Sequence, residues 1–193
     1  MIDEYILEDF PKSISLKGDF ECELRLLEST DEQMLHEFFK AIPYRERMFI
    51  KHQVADRSII HEWCSNIDLD RNLPLVAISE GKILADTTLH QQLGGWKSHI
   101  GRVSVLVHPQ YRGLGLAKAL ISETVEIARN AGLQKVEAEF IGDQEAAVKL
   151  FAMLGFSNLV RLENYVRDLE GITHDYILMG MDLKTDEEYA GME

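Results

Sequence analysis

The feature that most constrains this chain is a strand, a glycine turn and a helix that follow one another directly at residues 105–117. An apolar run ends at Pro109, Gly113 and Gly115 free the backbone, and a helical pattern begins at once. The first N–H groups of a helix lack partners within it, and glycines let a ligand approach them closely. The helix dipole adds partial positive charge there. The segment therefore predicts an anion-binding turn of the kind that holds phosphate groups.

Two other phosphate-binding motifs fit this turn less well. A P-loop needs the pattern GxxxxGK[ST], which occurs nowhere in the chain. A dinucleotide-binding turn needs a third glycine where Lys118 stands, although Glu137 lies at the distance of the acidic residue that holds a ribose. A nicotinamide-dependent enzyme is therefore a weaker alternative, and a tight structural turn that binds no ligand is another.

Short strands and helices alternate on both sides of this turn, without a repeat or a linker. Their hydrophobic periodicity is two in the strands and near 3.6 in the helices. The predicted strands cover residues 13–16, 21–27, 75–79, 82–90, 98–108, 135–141, 157–166 and 175–183. The first predicted helix begins at a capping box at residues 29–32 and ends before Pro43. Three further helices are predicted at residues 59–67, 116–131 and 144–154. This order predicts an α/β fold with a mixed, mostly antiparallel central sheet flanked by helices.

The size and composition of the chain are those of one packed domain. With 193 residues, 46% of them hydrophobic and 27% charged, we expect a single domain over residues 1–193 with a frayed acidic tail at 185–193. No window approaches the roughly 18 apolar residues of a membrane helix, and the N-terminus is acidic where a signal peptide is basic. These features predict a cytoplasmic protein with no membrane partner. Cys22 and Cys64 lie far apart and in no ligand pattern, so neither a metal site nor a disulfide is expected.

The net charge bears on the choice of partner. A formal charge of -13 repels a polyphosphate backbone, and the chain has no run of Lys or Arg to overcome it. No nucleic-acid partner is therefore expected. An acidic surface favours a cationic partner, although net negative charge commonly serves solubility alone.

The turn and a second pattern downstream together resemble a known family. The pattern Val-x-Pro-x-Tyr-Arg-Gly-x-Gly-x-Ala at residues 107–117 resembles motif A of the GNAT superfamily of acyl-CoA N-acyltransferases. Residues 144–156 are similar to motif B of that family, and the resemblance covers about residues 75–183, which we expect to form the acyl-CoA-binding core. The motif A signature Gln/Arg-x-x-Gly-x-Gly/Ala is met in two registers, by Arg112, Gly115 and Ala117 or by Gln110, Gly113 and Gly115.

The resemblance implies a donor, an acceptor and a cleft. A splayed pair of strands, one ending at Val107 and the other at residues 135–141, is expected to bind acetyl-CoA. The acetyl group is expected to pass directly to a primary amine, which is a small amine, a polyamine or a protein lysine. Leu106 and Val107 are expected to pair with the pantetheine chain, and the Val107 N–H to polarise the thioester carbonyl. The resemblance also implies that the protein forms a homodimer. The pyrophosphate is expected to be held by the backbone amides of Arg112, Gly113, Leu114, Gly115, Leu116 and Ala117.

The chain departs from the family pattern in its catalytic groups. Many members carry a glutamate, acting as general base, on the strand before the turn, yet no carboxylate occurs between Asp86 and Glu123. Many also protonate the leaving sulfur from a motif B tyrosine, and Phe151 stands at that position.

Several other residues are candidates for these two roles. His90 and His99 lie on the strands that lead into the predicted cleft, and imidazole titrates near working pH. Glu139 lies on the strand beyond the cleft, and Tyr165 or Tyr111 could supply the acid. Each of them also has an ordinary explanation in packing or on the surface. We predict His99, Glu139 and Tyr165 as the catalytic residues, and a catalytically weak acyl-CoA-binding sensor is the alternative function.

Overall fold

Eight strands and five helices are present in the part of the chain that the computed structural model describes, residues 7–48, 50 and 54–183. The acidic tail predicted at residues 185–193 lies outside the described residues. The strands are β1 (Lys12–Leu16), β2 (Phe20–Leu26), β3 (Asn72–Ser79), β4 (Lys82–His90), β5 (Ile100–Val107), β6 (Lys135–Ile141), β7 (Ser157–Arg167) and β8 (Thr173–Asp182). The helices are α1 (Glu32–Ala41), α2 (Tyr44–Arg47), α3 (Arg57–Ser65), α4 (Leu116–Asn130) and α5 (Glu145–Met153).

All eight strands belong to one sheet, in the order β1-β2-β3-β4-β5-β6-β8-β7. Neighbouring strands run antiparallel except β5 and β6, which are parallel. Parallel neighbours need a crossover connection, and α4 supplies it. The predicted mixed, mostly antiparallel sheet flanked by helices is confirmed.

Helices cover the two faces of the sheet unequally. On one face, α4 and α5 pack against β4, β5, β6 and β8 through a large apolar cluster that includes Val103, Val136 and Phe151. On the other face, α1 and α3 cover the region of β3 and β4 through a smaller cluster that includes Phe38 and Ile60. We call this second side of the sheet the α1 face. Polar side chains of β5, β6 and β8 are partly exposed on it.

The start of α1 differs from the sequence prediction. The predicted capping box at residues 29–32 is wrong by one position, because the Glu28 N–H donates to Asp31 Oδ2 at 2.8 Å and a 3₁₀ turn precedes the helix. Asp31 is only 2% exposed. Arg25 of β2 donates to both of its carboxylate oxygens at 2.7 Å. A buried carboxylate needs such a partner, so the ion pair decides where the helix begins.

Two further features concern the helices and the cysteines. α2 has four residues and no buried side chain, so it carried no hydrophobic pattern from which it could be predicted. Among the described helices, none is both long enough and apolar enough to span a membrane. Cys22 and Cys64 are buried free thiols in different apolar clusters.

Candidate active site

The sheet opens between its two parallel strands. Beyond Arg102, β5 keeps only β4 as a neighbour as far as Val107, while β6 keeps β8 as far as Ile141. The two strands therefore diverge and leave a gap at the ends of β5 and β6. Their pairing comprises three positions, Ile100 with Lys135, Gly101 with Val136 and Arg102 with Glu137.

The open edge of β5 carries backbone groups without a strand partner. The His108 N–H donates to the Leu84 carbonyl at 2.8 Å, and alternate residues of an antiparallel strand bond to the same neighbour. The N–H and C=O groups of Val105 and Val107 therefore point into the gap. An extended ligand can pair with this edge as another strand would.

Leu106 was predicted to pair with the pantetheine chain, but its backbone groups face β4 instead. It lies opposite Asp86 in the ladder, and the alternation just described turns its backbone groups towards β4. Its backbone is therefore committed to the sheet, and only its side chain, which packs beside the α1-face cluster, can line the site.

Backbone amides converge in the turn that follows β5. A 3₁₀ turn at Pro109–Tyr111 leads to Gly113 and Gly115, which have φ angles of 82° and 102°. Gly115 is the N-cap of α4 and has no side chain to satisfy the first N–H groups, and the first turn of α4 contains no acidic residue. These amides and the helix dipole thus suit an anionic ligand. The Leu114 carbonyl accepts from the Lys17 N–H at 3.2 Å, which anchors the turn to the β1–β2 hairpin.

Two cations, Arg112 and Lys82, lie near His108 at the turn. His108 Nδ1 accepts from the Gln110 N–H at 3.3 Å, which requires an unprotonated nitrogen there. Burial, Arg112 and Lys82 lower the pKa of His108. The ring that accepts this bond is neutral, and the charge of the neighbouring Arg112 is paired with Glu46.

Asp86 is the carboxylate that the structure adds to the site. It lies on β4 opposite Leu106, directly beside the open edge of β5. Thr87 faces α4, where Thr124 Oγ1 donates to its hydroxyl at 3.4 Å, so the neighbouring Asp86 points to the α1 face. Burial raises the pKa of Asp86 to about 7. A carboxyl group with that pKa can accept and return a proton near neutral pH.

One feature of the sequence distinguishes Asp86 from the other residues of β4. Asp86 interrupts the apolar and threonine positions of β4, between Ile83 and Leu89. A lone charge on an inner strand needs a reason. Tertiary pairing of β4 with β5 decides that Asp86 lies beside the open edge, and the sequence does not show which strand β5 pairs with.

Glu139 lies on the α1 face, on the far side of the gap. Its Oε1 is 3.4 Å from Arg102 Nη1 and accepts from the Tyr176 hydroxyl at 3.3 Å. Burial and the nearby Glu139 charge raise the pKa of Tyr176 to about 12. A phenol with that pKa is a weak proton donor, so this cluster binds and orients better than it donates a proton.

Tyr165 does not reach the gap directly. It is 67% exposed, and its ring lies 5.9 Å from that of Tyr176. An irregular stretch of β7 places it there: Asn164 has a φ of 51°, and its N–H donates to Asp175 at 3.1 Å. Tyr176 therefore lies between the two predicted residues: its ring is next to that of Tyr165, and its hydroxyl donates to Glu139.

The two candidate histidines are not at the open ends of the strands. His99 immediately precedes β5, roughly 26 Å of extended strand from Val107. Its carbonyl accepts from the Gln134 N–H at 2.9 Å, where the two parallel strands are still together. His90 Nδ1 lies 2.7 Å from Asn72 Oδ1 and its Nε2 lies 3.2 Å from Ser104 Oγ. The structure therefore does not bring His99 together with the amide turn.

Phe151 of motif B packs in the interior, and Tyr111 of motif A is partly buried against other rings. Phe151 is 1% exposed, and its ring lies 4.9 Å from both Phe140 and Phe156. Tyr111 packs between Phe20 and His108, with ring centroids 6.0 and 5.3 Å away. The motif B position is thus part of the core and supplies no acid.

Comparisons with known proteins agree with this geometry. The model of the Acetyltransferase (GNAT) family matches residues 33–156. An acetyltransferase of Sodalis glossinidius is 31% identical over 121 residues, which covers 62% of this chain and 72% of that protein. This chain belongs to the GNAT family of acetyltransferases, and acetyl-CoA is its acyl donor.

Solved structures share the fold at lower sequence identity. The ribosomal-protein-S5-alanine acetyltransferase from Vibrio fischeri superposes with a TM-score of 0.75 at 18% identity, over 90% of this chain and 97% of that one. The Salmonella typhimurium protein yncA, solved with its cofactor acetyl-CoA, gives a TM-score of 0.72 at 19% identity, over 85% and 95% of the two chains.

Proposed function

We propose that this protein transfers an acetyl group from acetyl-CoA to a primary amine by direct attack of the amine on the thioester. The observation that carries the proposal is the position of Asp86, a carboxylate with a pKa of about 7 beside the open edge of β5. The relatives support acetyl transfer, and the geometry around Asp86 supports an acceptor that must lose a proton.

The donor is held by the backbone of β5 and of the turn after it. Amides between Arg112 and Ala117 bind the pyrophosphate, and the N–H and C=O groups of Val105, which face the gap, pair with the pantetheine chain. The Val107 N–H donates to the thioester oxygen, where negative charge develops during attack. The Val107 carbonyl accepts from Arg112 Nε at 3.3 Å, which orders the end of the strand.

The proton balance assigns Asp86 a direct role. An alkylammonium with a pKa of about 10.4 is not a nucleophile, so Asp86 accepts one proton from it. The nitrogen lone pair then forms the C–N bond as the C–S bond breaks. The nitrogen loses a second proton and the thiolate gains one, so the products are an amide, a thiol and one released proton. Protonated Asp86 can return its proton to the thiolate, which removes the need for a tyrosine at position 151.

Asp86→Asn tests this assignment with two readouts. We expect acetyl-CoA affinity by calorimetry to stay within about twofold of wild type. Transfer to a panel of a monoamine, a polyamine and a lysine peptide, followed as free thiol, should fall on the order of 100-fold or more. Glu62→Gln is the control, because it removes an exposed carboxylate of α3 that takes no part in the proposed transfer, and it should keep wild-type activity. Wild-type rates in Asp86→Asn would overturn the role of Asp86.

A second candidate function is an acyl-CoA-binding sensor without efficient transfer. Phe151 favours it, because the buried ring replaces the proton donor expected from the family resemblance. The same assay separates the two functions. Thiol release with formation of an acetylated amine excludes the sensor, whereas tight acetyl-CoA binding without transfer to any amine of the panel supports it.

A further inference from the structure

An ion pair joins the donor turn to the short helix α2, which is distant in sequence. Arg112 Nη1 and Nη2 donate to the two carboxylate oxygens of Glu46 at 3.0 and 2.7 Å. The same guanidinium reaches Val107 through Nε. Arg112 therefore contacts, at one time, the strand that is expected to hold the thioester and a helix from the opposite layer.

The residues on either side of α2 pack into the α1-face cluster. Ile42 before the helix and Val54 after it are each 1% exposed, and both belong to the α1-face cluster against which Leu106 packs. Asp86 points to this same face beside Leu106. The residues that flank α2 therefore lie on the face of the sheet to which Asp86 points.

The ion pair is suited to positioning rather than to overall stability. The side chains of Arg112 and Glu46 are 45% and 39% exposed, and exposed ion pairs contribute little to folding free energy. A bidentate guanidinium–carboxylate contact nevertheless fixes direction, because both groups are planar. The backbone bonds of α2 close within the segment, from Glu46 and Arg47 to the Pro43 carbonyl. A side-chain contact is therefore what links this helix to the turn.

We propose that Glu46 is a positioning residue that couples the two substrates. By holding Arg112, it keeps α2 against the end of β5, so a wall of the acceptor site forms on the donor-binding turn. The inference rests on the proposed transfer to an amine and goes beyond it by assigning acceptor affinity to a residue that touches neither reacting atom.

Glu46→Gln tests the proposal, with Glu62→Gln as the matched control. Glu62 is an exposed glutamate of α3 whose substitution removes the same charge without touching the turn. At saturating acetyl-CoA, we expect Glu46→Gln to raise the KM for the amine about fivefold, the upper range for an exposed ion pair, with kcat nearly unchanged. Acetyl-CoA affinity by calorimetry should change less than twofold. Glu62→Gln should match wild type in all three quantities.

A second variant separates pairing from a general loss of structure. If Glu46 acts through Arg112, the double variant Glu46→Gln/Arg112→Gln has no higher amine KM than the more affected single variant. Hydrogen exchange of residues 43–48 should be faster in Glu46→Gln and unchanged in Glu62→Gln.

Three outcomes would overturn the proposal, and one of them also removes its basis. An amine KM in Glu46→Gln equal to that of Glu62→Gln, or additive effects in the double variant, would overturn the positioning role while transfer itself stands. If wild-type protein transfers acetyl to no amine, the proposed function fails and this inference falls with it.

Discussion

Asp86 illustrates how one residue acquires its chemistry from its neighbours. An aspartate in water has a pKa near 4 and is a poor base for an ammonium. Placed beside Leu106 on an inner strand, its carboxyl group is desolvated, and burial raises the pKa to about 7. Asp31 shows the opposite outcome: burial also raises its pKa, but the bonds from Arg25 and the Glu28 amide lower that pKa overall.

The pH dependence of transfer follows from the raised pKa of Asp86. The reacting pair is ionised Asp86 with the ammonium form of the amine, so kcat/KM should rise with pH through about 7 and then stay level up to the pKa of the amine. Asp86→Asn should lack the break near pH 7, and its residual rate should rise with the fraction of free amine instead. A wild-type profile without that break, or a variant that retains it, would contradict the assignment.

Ionisation of Asp86, which should favour transfer, should lower the stability of the fold. Because the pKa is higher in the folded protein than in the unfolded chain, wild-type stability falls as pH rises from about 4 to 7. Asparagine does not titrate. Asp86→Asn should therefore gain urea resistance over wild type at pH 8 and much less at pH 4. The midpoints of urea unfolding at the two pH values measure this, and equal differences at both would show that Asp86 is not desolvated.

At the scale of elements, the end of β5 and the start of α4 work as one unit. β5 offers an unpaired edge because β6 leaves it after Arg102, and Gly115 starts α4 with its first amides free. The motif B helix has a different role. Its Phe151 fills the core between Phe140 and Phe156, so α5 supports β6 and contributes no reacting group.

Gly115 offers a direct test of the amide turn. Gly115→Asp forces a residue with a side chain into a φ of 102° and adds a negative charge where the pyrophosphate should bind. We expect acetyl-CoA binding to be lost in calorimetry. Gly115→Ala imposes the same backbone strain without the charge and should weaken binding less. Equal loss in both variants would mean that backbone strain, rather than anion binding, explains the effect.

At the scale of the whole molecule, the ion pair between Arg25 and Asp31 ties the helical layer to the sheet. Arg25 belongs to β2, and Asp31 stands at the entrance to α1. Replacing Asp31 with Ala leaves a largely buried guanidinium without its partner, which should cost about 3 kcal/mol of unfolding free energy. Urea unfolding at pH 7 measures the loss, and acetyl-CoA affinity should be retained.

The pH dependence of this pair provides the control. The pKa of Asp31 is lowered in the folded protein, so its contribution is present above the unfolded pKa near 4 and is lost as pH falls below it. The stability difference between wild type and Asp31→Ala should therefore shrink in acid. A difference that does not change between pH 7 and pH 3 would contradict the ion pair as its cause.

Local patterns were sufficient for the elements and for the donor-binding turn. Alternating and helical periodicities, together with the glycines at 113 and 115, act within a few residues, so order and approximate bounds were predictable. α2 was missed because its four residues bury no side chain. The capping box at α1 was misplaced because a contact with Arg25, on another element, decided it.

The proposed base and the proposed coupling of the two substrates depend on tertiary structure. Asp86 precedes the turn by more than twenty residues, and only the pairing of β4 with β5 brings it beside Leu106. Tertiary structure also brings Glu46 into contact with Arg112, which lies 66 positions later in the sequence. Sequence by itself determined the strand–turn–helix that we propose as the pyrophosphate site, because adjacent residues build it. The choice of base and of acceptor wall was decided in three dimensions, because burial and strand order set the pKa and the contacts of each side chain.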